Sequence, residues 1–179
     1  MDDADLALLR GRGCVAVHNP ASNMKLASGA SPVPRILAAG VPVAIGTDGP
    51  ASNNAQNMIR ETWLAALLGK LASGDPTAVS AQTALDMATR HGAAAIHDPL
   101  AGRLAPGSRA DFFALDLRTP NLQPVNDVVS NAVYAATGLE NRLTVVDGRE
   151  LYRDGRWLSL DWDALLAEAG SLRRWAAGG

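Results

Sequence analysis

Apolar and polar positions alternate along the chain with two different rhythms. Residues 2–13, DDADLALLRGRG, place acids in a first turn, Leu6 and Leu9 one turn apart, and glycines at Gly11 and Gly13, which predicts a short helix closed by glycine. CVAVH, ending at His18, is β-prone and too uniformly apolar for a half-exposed strand, so it is expected to be a parallel strand covered on both faces. The Asn, Pro, Ser and Gly of residues 19–32 predict a loop, VPRILAAG a short helix ended by Gly40, and VPVAIGTDG a second buried strand. After another expected polar loop, PASNNAQN, the stretch Met58 to Leu71 sets Ile59, Trp63, Ala66, Leu67 and Leu71 at helical spacing, with Arg60, Glu61 and Lys70 off that face. A single helix is expected from about Ser80 to Ile96, with Leu85, Ala88 and Ala95 as candidate core positions.

The rhythm changes near Gly102. Gly and Pro punctuation gives way to the β-rich ADFFALDL, and NRLTVVDGRELYRDGRW reads as two strands joined through Asp147-Gly148, a hairpin turn signal. The last segment predicts an amphipathic helix with Leu165, Leu166 and Trp175 on one stripe. No internal repeat stands out. The alternation of helices with buried strands up to residue 101 points to parallel βα units, and residues 102–179 to a second architecture, with the boundary in the Pro- and Gly-containing residues 98–108.

Nearly half of the 179 residues are apolar, enough to bury a core, and the net charge is −2 with signs mixed along the chain. This leaves no basic patch for nucleic acid and no polybasic arm for a membrane, so chemistry on a small molecule is the expectation. The lone Cys14 excludes an internal disulfide and reads as a small buried hydrophobe. The N-terminal residues lack a basic-then-apolar leader, and no apolar stretch is long enough to span a bilayer, which points to the cytoplasm.

In parallel α/β proteins chemistry is carried by loops at the carboxyl ends of strands. Asp48 and His18 both fall there. An Asp at that place serves as a metal ligand, a general base or an Asx turn cap, and His18 either braces the loop or touches a ligand. The histidines are His18, His91 and His97, without an HxH or HExxH spacing, so a complete histidine-rich zinc site cannot be built from these residues. His91 reads as a helix-end residue near the negative end of the dipole, and the four tryptophans as packing anchors. No nucleophile elbow, Walker A loop or dinucleotide-binding glycine pattern is present.

The run VAVHNPASNMKLASGASPVPRILAAGVPVAIGTDGPASNN resembles, almost word for word, a late segment of the amidohydrolase superfamily. The branch is that of the chlorohydrolases and aminohydrolases, which includes methylthioadenosine/S-adenosylhomocysteine deaminases. The resemblance continues through MATRHGAAAI, GRLAPGSRADFFALDL and SNAVYAATGLENRLTVVDGRELYRDGRW, essentially the whole chain. It implies an α/β fragment of a (β/α)8 barrel: the last two strands and helices in residues 1–101, then part of a small β-sandwich with a terminal helix in residues 102–179. Asp48 matches the family's acidic residue after strand eight. The resemblance gives it two roles: ligand of one divalent metal, zinc or iron, and acceptor of a proton from the water that attacks an amidine-like ring carbon. Thr47 and Gly49 are then expected to let the backbone turn tightly around it, and His18 and Asn23, on a mouth loop, to contact substrate.

The family's HxH pair, its further metal histidines and its catalytic Glu would lie before Met1, so the expectation is a fragment, inactive alone, of a homo-oligomeric enzyme that deaminates an adenosine-type or other amino-heterocycle. Two alternatives stay open. One is another leaving group, as in triazine dechlorination or deamination of guanine or another base, and the other is a non-catalytic binding fragment.

Overall fold

The computed structural model describes residues 1–177, and the side chains of residues 1–173. Helix α1 (Asp3–Gly11) begins at a capping box in which Asp2 and Asp5 each accept the other's backbone N–H, and it buries Leu6. Strand β1 (Ala16–His18) and strand β2 (Val43–Ile45) pair in parallel, with Ala16 opposite Val43 and His18 opposite Ile45. Between them lie α2 (Pro20–Lys25) and α3 (Val33–Ala38), and after them α4 (Pro50–Asn53), α5 (Met58–Ser73), α6 (Ala81–Ala88) and α7 (Arg90–Ala95). Strand β2 is buried at every position, as expected, whereas Val17 in the middle of β1 is 59 % exposed, so β1 is covered on one face only.

Three local expectations give way to physical causes. Both segments expected to be polar loops contain a short helix, because Pro20 and Pro50 each take the first helical position, where a missing N–H costs nothing. The helix expected over residues 80–96 is two helices. Thr89 leaves helical geometry (φ −122°, ψ −83°) and turns its hydroxyl back on the Leu85 carbonyl at 2.7 Å, a bond that competes with the helical ladder.

The buried face of α5 is the third: Glu61, Thr62, Ala65, Ala66 and Gly69 are inside, while Trp63, Leu67 and Leu71 are exposed. Close approach selects the small residues, since a Cβ on Gly69 would stand 2.5 Å from Val79 Cγ2. Ala81, Ala84 and Ala93 are likewise inside, together with the larger Met87, while Leu85, Ala88 and Ala95 are only half-buried.

The second sheet is antiparallel, in the order β3 (Phe112–Leu115), β4 (Asn141–Val146), β5 (Arg149–Arg153), β6 (Arg156–Trp157). The expected turn at Asp147-Gly148 is present, and a second one at Asp154-Gly155 adds β6; both pairs take positive φ throughout, as hairpin turns of this hand require. Helix α8 (Val128–Tyr134), placed between β3 and β4 in the chain, packs on α5 and α6 and sends Val133 into the same core as Met87 and β2. On α9 (Trp162–Ala177), Leu165 and Leu166 are exposed, and Trp175 of the expected stripe lies outside the described side chains. Trp157 meets Tyr152 edge-on at 5.2 Å and stacks on Trp162 at 6.1 Å, which ties α9 to the sheet. No helix among the described residues is long and apolar enough to cross a membrane.

The loop between α8 and β4 is knotted around Glu140, which is 4 % exposed. Its carboxylate accepts the amides of Thr137 and Gly138, the Thr137 hydroxyl and the Asn121 side chain, at 2.6–3.0 Å. Burial pushes this carboxyl up, and the hydrogen bonds outweigh it, bringing it from 4.5 down to about 2. A lowered folded pKa stabilises the fold above the ordinary carboxylate range, and that contribution is lost as pH falls from 4.5 toward about 2. Glu140→Gln strands buried donors and is expected to cost about 1–3 kcal/mol at pH 7. In urea denaturation of both proteins the difference is expected to shrink between pH 5 and pH 2; a difference unchanged with pH would contradict the assignment.

Candidate functional site

Asp48 lies three residues beyond the carboxyl end of β2, on a turn built for it. Its backbone is left-handed (φ 61°), a conformation that Asp tolerates better than most side chains. The turn is fixed from the far side of the loop, where Asn53 Nδ2 donates to the Thr47 carbonyl at 2.7 Å and Gln56 Nε2 to the Asp48 carbonyl at 2.9 Å. The tight approach occurs at Gly46, where a Cβ would stand 2.5 Å from Asn19 Oδ1. Gly49, expected to supply the tight turn, has an ordinary extended backbone (φ −76°, ψ 160°) and open space at its Cβ position.

Two serine hydroxyls converge on one carboxylate oxygen. Ser22 Oγ donates to Asp48 Oδ2 at 2.6 Å and Ser52 Oγ at 2.8 Å, leaving Oδ1 without a hydroxyl partner. The Ser22 and Ser52 hydroxyls, and after them the Gly49 amide, hold the Asp48 carboxyl below its usual range against a smaller opposing effect of burial. Asp48 is therefore an exposed anion with one oxygen braced and the other turned free.

The serines are placed by a short duplication that the chain carries openly. PASN occurs at residues 20–23 and again at 50–53, each time in the connection that follows a parallel strand, with Pro at the first and Ser at the third helical position. Behind both helices stands Glu61 of α5, which is fully buried. Its Oε2 accepts the Ala21 amide at 3.0 Å and its Oε1 accepts Asn53 Nδ2 at 2.8 Å. Ser22, Ser52 and Asn53 are absent from the site residues expected from sequence, and Glu61 was placed only off the apolar face of its helix; the repeated PASN was the signal that could have found the first three.

The other expected site residues take different places. Neither His18 nor Asn23 bonds to Asp48. His18 ends β1, is 2 % exposed, and has no partner on either ring nitrogen among the described residues. Burial pushes its imidazolium pKa down, which favours the neutral ring. Val17 lies beside Gly46 on one face of the sheet, so strand alternation turns His18 to the other. Asn23 is half-buried in α2, where its amide bonds the Asn19 carbonyl. His91 stands at the second position of α7, not at a helix carboxyl end, and its Nδ1 donates to the Val43 carbonyl of β2 at 2.9 Å. No three His, Cys, Asp or Glu side chains among the described residues are grouped as a metal-holding set. Asp48 is an exposed carboxylate held in the charged form, with its rotation fixed by two hydroxyls.

Residues 1–151 match the family model described as the amidohydrolase family. The chain belongs to that family. A 5-methylthioadenosine/S-adenosylhomocysteine deaminase of Desulfovibrio desulfuricans is 58 % identical over 169 residues, which are 94 % of this chain and 38 % of the relative. Among solved structures, an adenosine deaminase from Xanthomonas campestris with bound zinc superposes at a TM-score of 0.97 with 36 % identity, covering 100 % of this chain and 41 % of that one. The atrazine chlorohydrolase of Arthrobacter aurescens, complexed with zinc, gives 0.90 with 27 % identity over 96 % of this chain and 38 % of its own. This amidohydrolase chain therefore spans about two fifths of the length of such relatives, and its mixed α/β fold matches them over that part.

The brace on Asp48 is directly measurable. In a carbon-detected NMR titration of this chain, Asp48 is expected to titrate below 3.8, and Ser22→Ala/Ser52→Ala to bring it back toward 3.8. Since the folded pKa is the lowered one, the serines stabilise the fold above 3.8 and cease to as pH falls through the folded value. Identical titration curves for the two proteins would mean that the hydroxyls do not hold the charge.

Proposed function

We propose that this chain is the late segment of a zinc-dependent aminohydrolase that removes ammonia from adenosine-type compounds, 5′-methylthioadenosine and S-adenosylhomocysteine being the first to test. Residues 1–101 supply the last two strands and helices of a (β/α)8 barrel, and residues 102–179 part of a small β-sandwich with its terminal helix. The observation that carries the reading is Asp48: one carboxylate beyond a buried parallel strand, with Oδ2 braced by two hydroxyls and Oδ1 open. The 58 % identity to a named deaminase supports deamination over the dechlorination named for the 27 % identical relative. The working form is a cytoplasmic homo-oligomer.

A divalent zinc held here would supply an acidified water as nucleophile near neutral pH. Asp48 Oδ1 is the atom of this chain that would hold it, with further ligands from outside these residues. Asp48 also accepts a proton as water adds to the ring and returns it to the departing nitrogen. The serine hydroxyls suit both tasks, because they fix the carboxylate's rotation and keep it anionic. His18, at the end of β1, and Asn23, in α2, are the residues of this chain proposed to contact substrate.

The test is a chimera in which this chain replaces the segment it matches in the Desulfovibrio desulfuricans deaminase. Zinc binding and ammonia release from 5′-methylthioadenosine are expected, with Asp48→Asn lowering kcat by about 10²–10⁴-fold while the thermal midpoint is kept. A folded, zinc-loaded chimera that releases no ammonia, or that releases chloride from a chlorotriazine instead, would overturn the substrate assignment. The 179-residue chain by itself, offering one suitable carboxylate where a catalytic zinc site wants about three protein donors, is expected to retain no stoichiometric zinc after dialysis.

A further inference from the structure

We infer that Glu61 is a positioning residue for Asp48: its buried carboxylate ties the two PASN helices together and so sets the hydroxyls that hold Asp48 Oδ2. The inference rests on the reading of Asp48 as zinc ligand and proton carrier.

A fully buried Glu is an expensive way to fill space, and no Arg or Lys among the described side chains pairs with this one. Both of its partners are neutral donors, and each lies one residue from a group that touches Asp48. Ala21, whose amide meets Oε2, precedes Ser22. Asn53, whose side chain meets Oε1, follows Ser52 and also donates to the carbonyl of Thr47, the residue before Asp48. Hydroxyls from two separate helices therefore share one reference point, and the Asp48 turn is tied to it as well.

The geometry demands a carboxylate. Asn53 cannot reverse its amide to suit a different neighbour, because its Oδ1 accepts the amides of Ala55 and Gln56 at 3.2 and 3.3 Å. The Ala21 amide is likewise only a donor. Glu61→Gln keeps the volume but must turn an NH2 group on one of two donors, which breaks one arm and releases one serine.

The experiment compares four versions of the chimera: unaltered, Glu61→Gln, Ser22→Ala/Ser52→Ala, and all three changes together. Rates of zinc loss to a chelator are read beside kcat and KM for 5′-methylthioadenosine. Glu61→Gln is expected to speed zinc loss and lower kcat by about tenfold, as for residues that orient a metal ligand, with KM held within about twofold. In the serine-free background the same change is expected to add less than about threefold, since only the tie through Asn53 to the Thr47 carbonyl is left to carry it.

Unaltered zinc retention and kcat in Glu61→Gln, or a full tenfold effect in the serine-free background, would overturn the inference. Should Glu61→Gln lower the thermal midpoint, Asn53→Ala, which removes one arm and leaves Glu61 in place, is expected to speed zinc loss in the same way; normal zinc retention there would overturn it equally. Zinc loss reports on Glu61 even where no ammonia is released, so failure of the substrate assignment is read separately.

Discussion

A carboxylate with no exposed surface must be surrounded by donors, and that requirement at Glu61 organises the functional end of this chain. The donors come from the turns after both parallel strands, so one side chain on α5 fixes where two loops stand relative to each other. Asn57 then caps α5 with its Oδ1 and uses its amide group to hold the Thr137 carbonyl, inside the loop that Glu140 knots. Two buried carboxylates, Glu61 at one side of α5's first turn and Glu140 beyond its cap, thus connect the strand-end loops to the path into the antiparallel sheet. Hydrophobic burial supplies the cohesion, but these polar contacts decide the relative placement of the loops.

What could be read from the sequence follows from how each element is stabilised. The types of α1, β1, β2, α3 and α5 were legible, α1 through its own capping box and β2 through burial on both faces, whereas the short α2 and α4 read as loops because Pro, Ser and Asn dominate them. The inward face of α5 was not legible. Periodicity weights large apolar residues, and here Ala65, Ala66 and Gly69 go inside because neighbours approach too closely for anything larger, while Leu67 and Leu71 are left out. Glu61 was misassigned for the same reason: a charged residue is read as solvated until its partners, 40 and 8 residues away in the chain, are known. The turn at Asp154-Gly155 carried the same signal as Asp147-Gly148 and was overlooked only because the strand after it is two residues long.

At the site, Asp48 was visible as an oddity, a lone acid closing an apolar strand, but its residue type left a turn cap, a metal ligand and a general base open, the cap being the commonest of the three roles. The residue adopts the left-handed turn, and its side chain is braced from two helices instead of being spent on capping that turn. His18 shows the reverse: a histidine at a strand end suggests a ligand, yet alternation along β1 carries it to the face away from Val17 and Gly46. The facing of a strand residue depends on register, and register is set by a partner strand that the residue's own neighbours do not reveal.

The unequal reach of the two arms from Glu61 also bears on how the chain comes together in time. The arm to Asn53 closes across 8 residues and the arm to Ala21 across 40. By the logarithmic dependence of closure entropy on length, the longer one costs about 1.4 kcal/mol more to form. The contact between Asn53 and α5 can therefore form locally without α2 in place. Of the two hydroxyls on Asp48, that of Ser52 comes from 4 residues along the chain and that of Ser22 from 26, so the second brings a distant segment to the site.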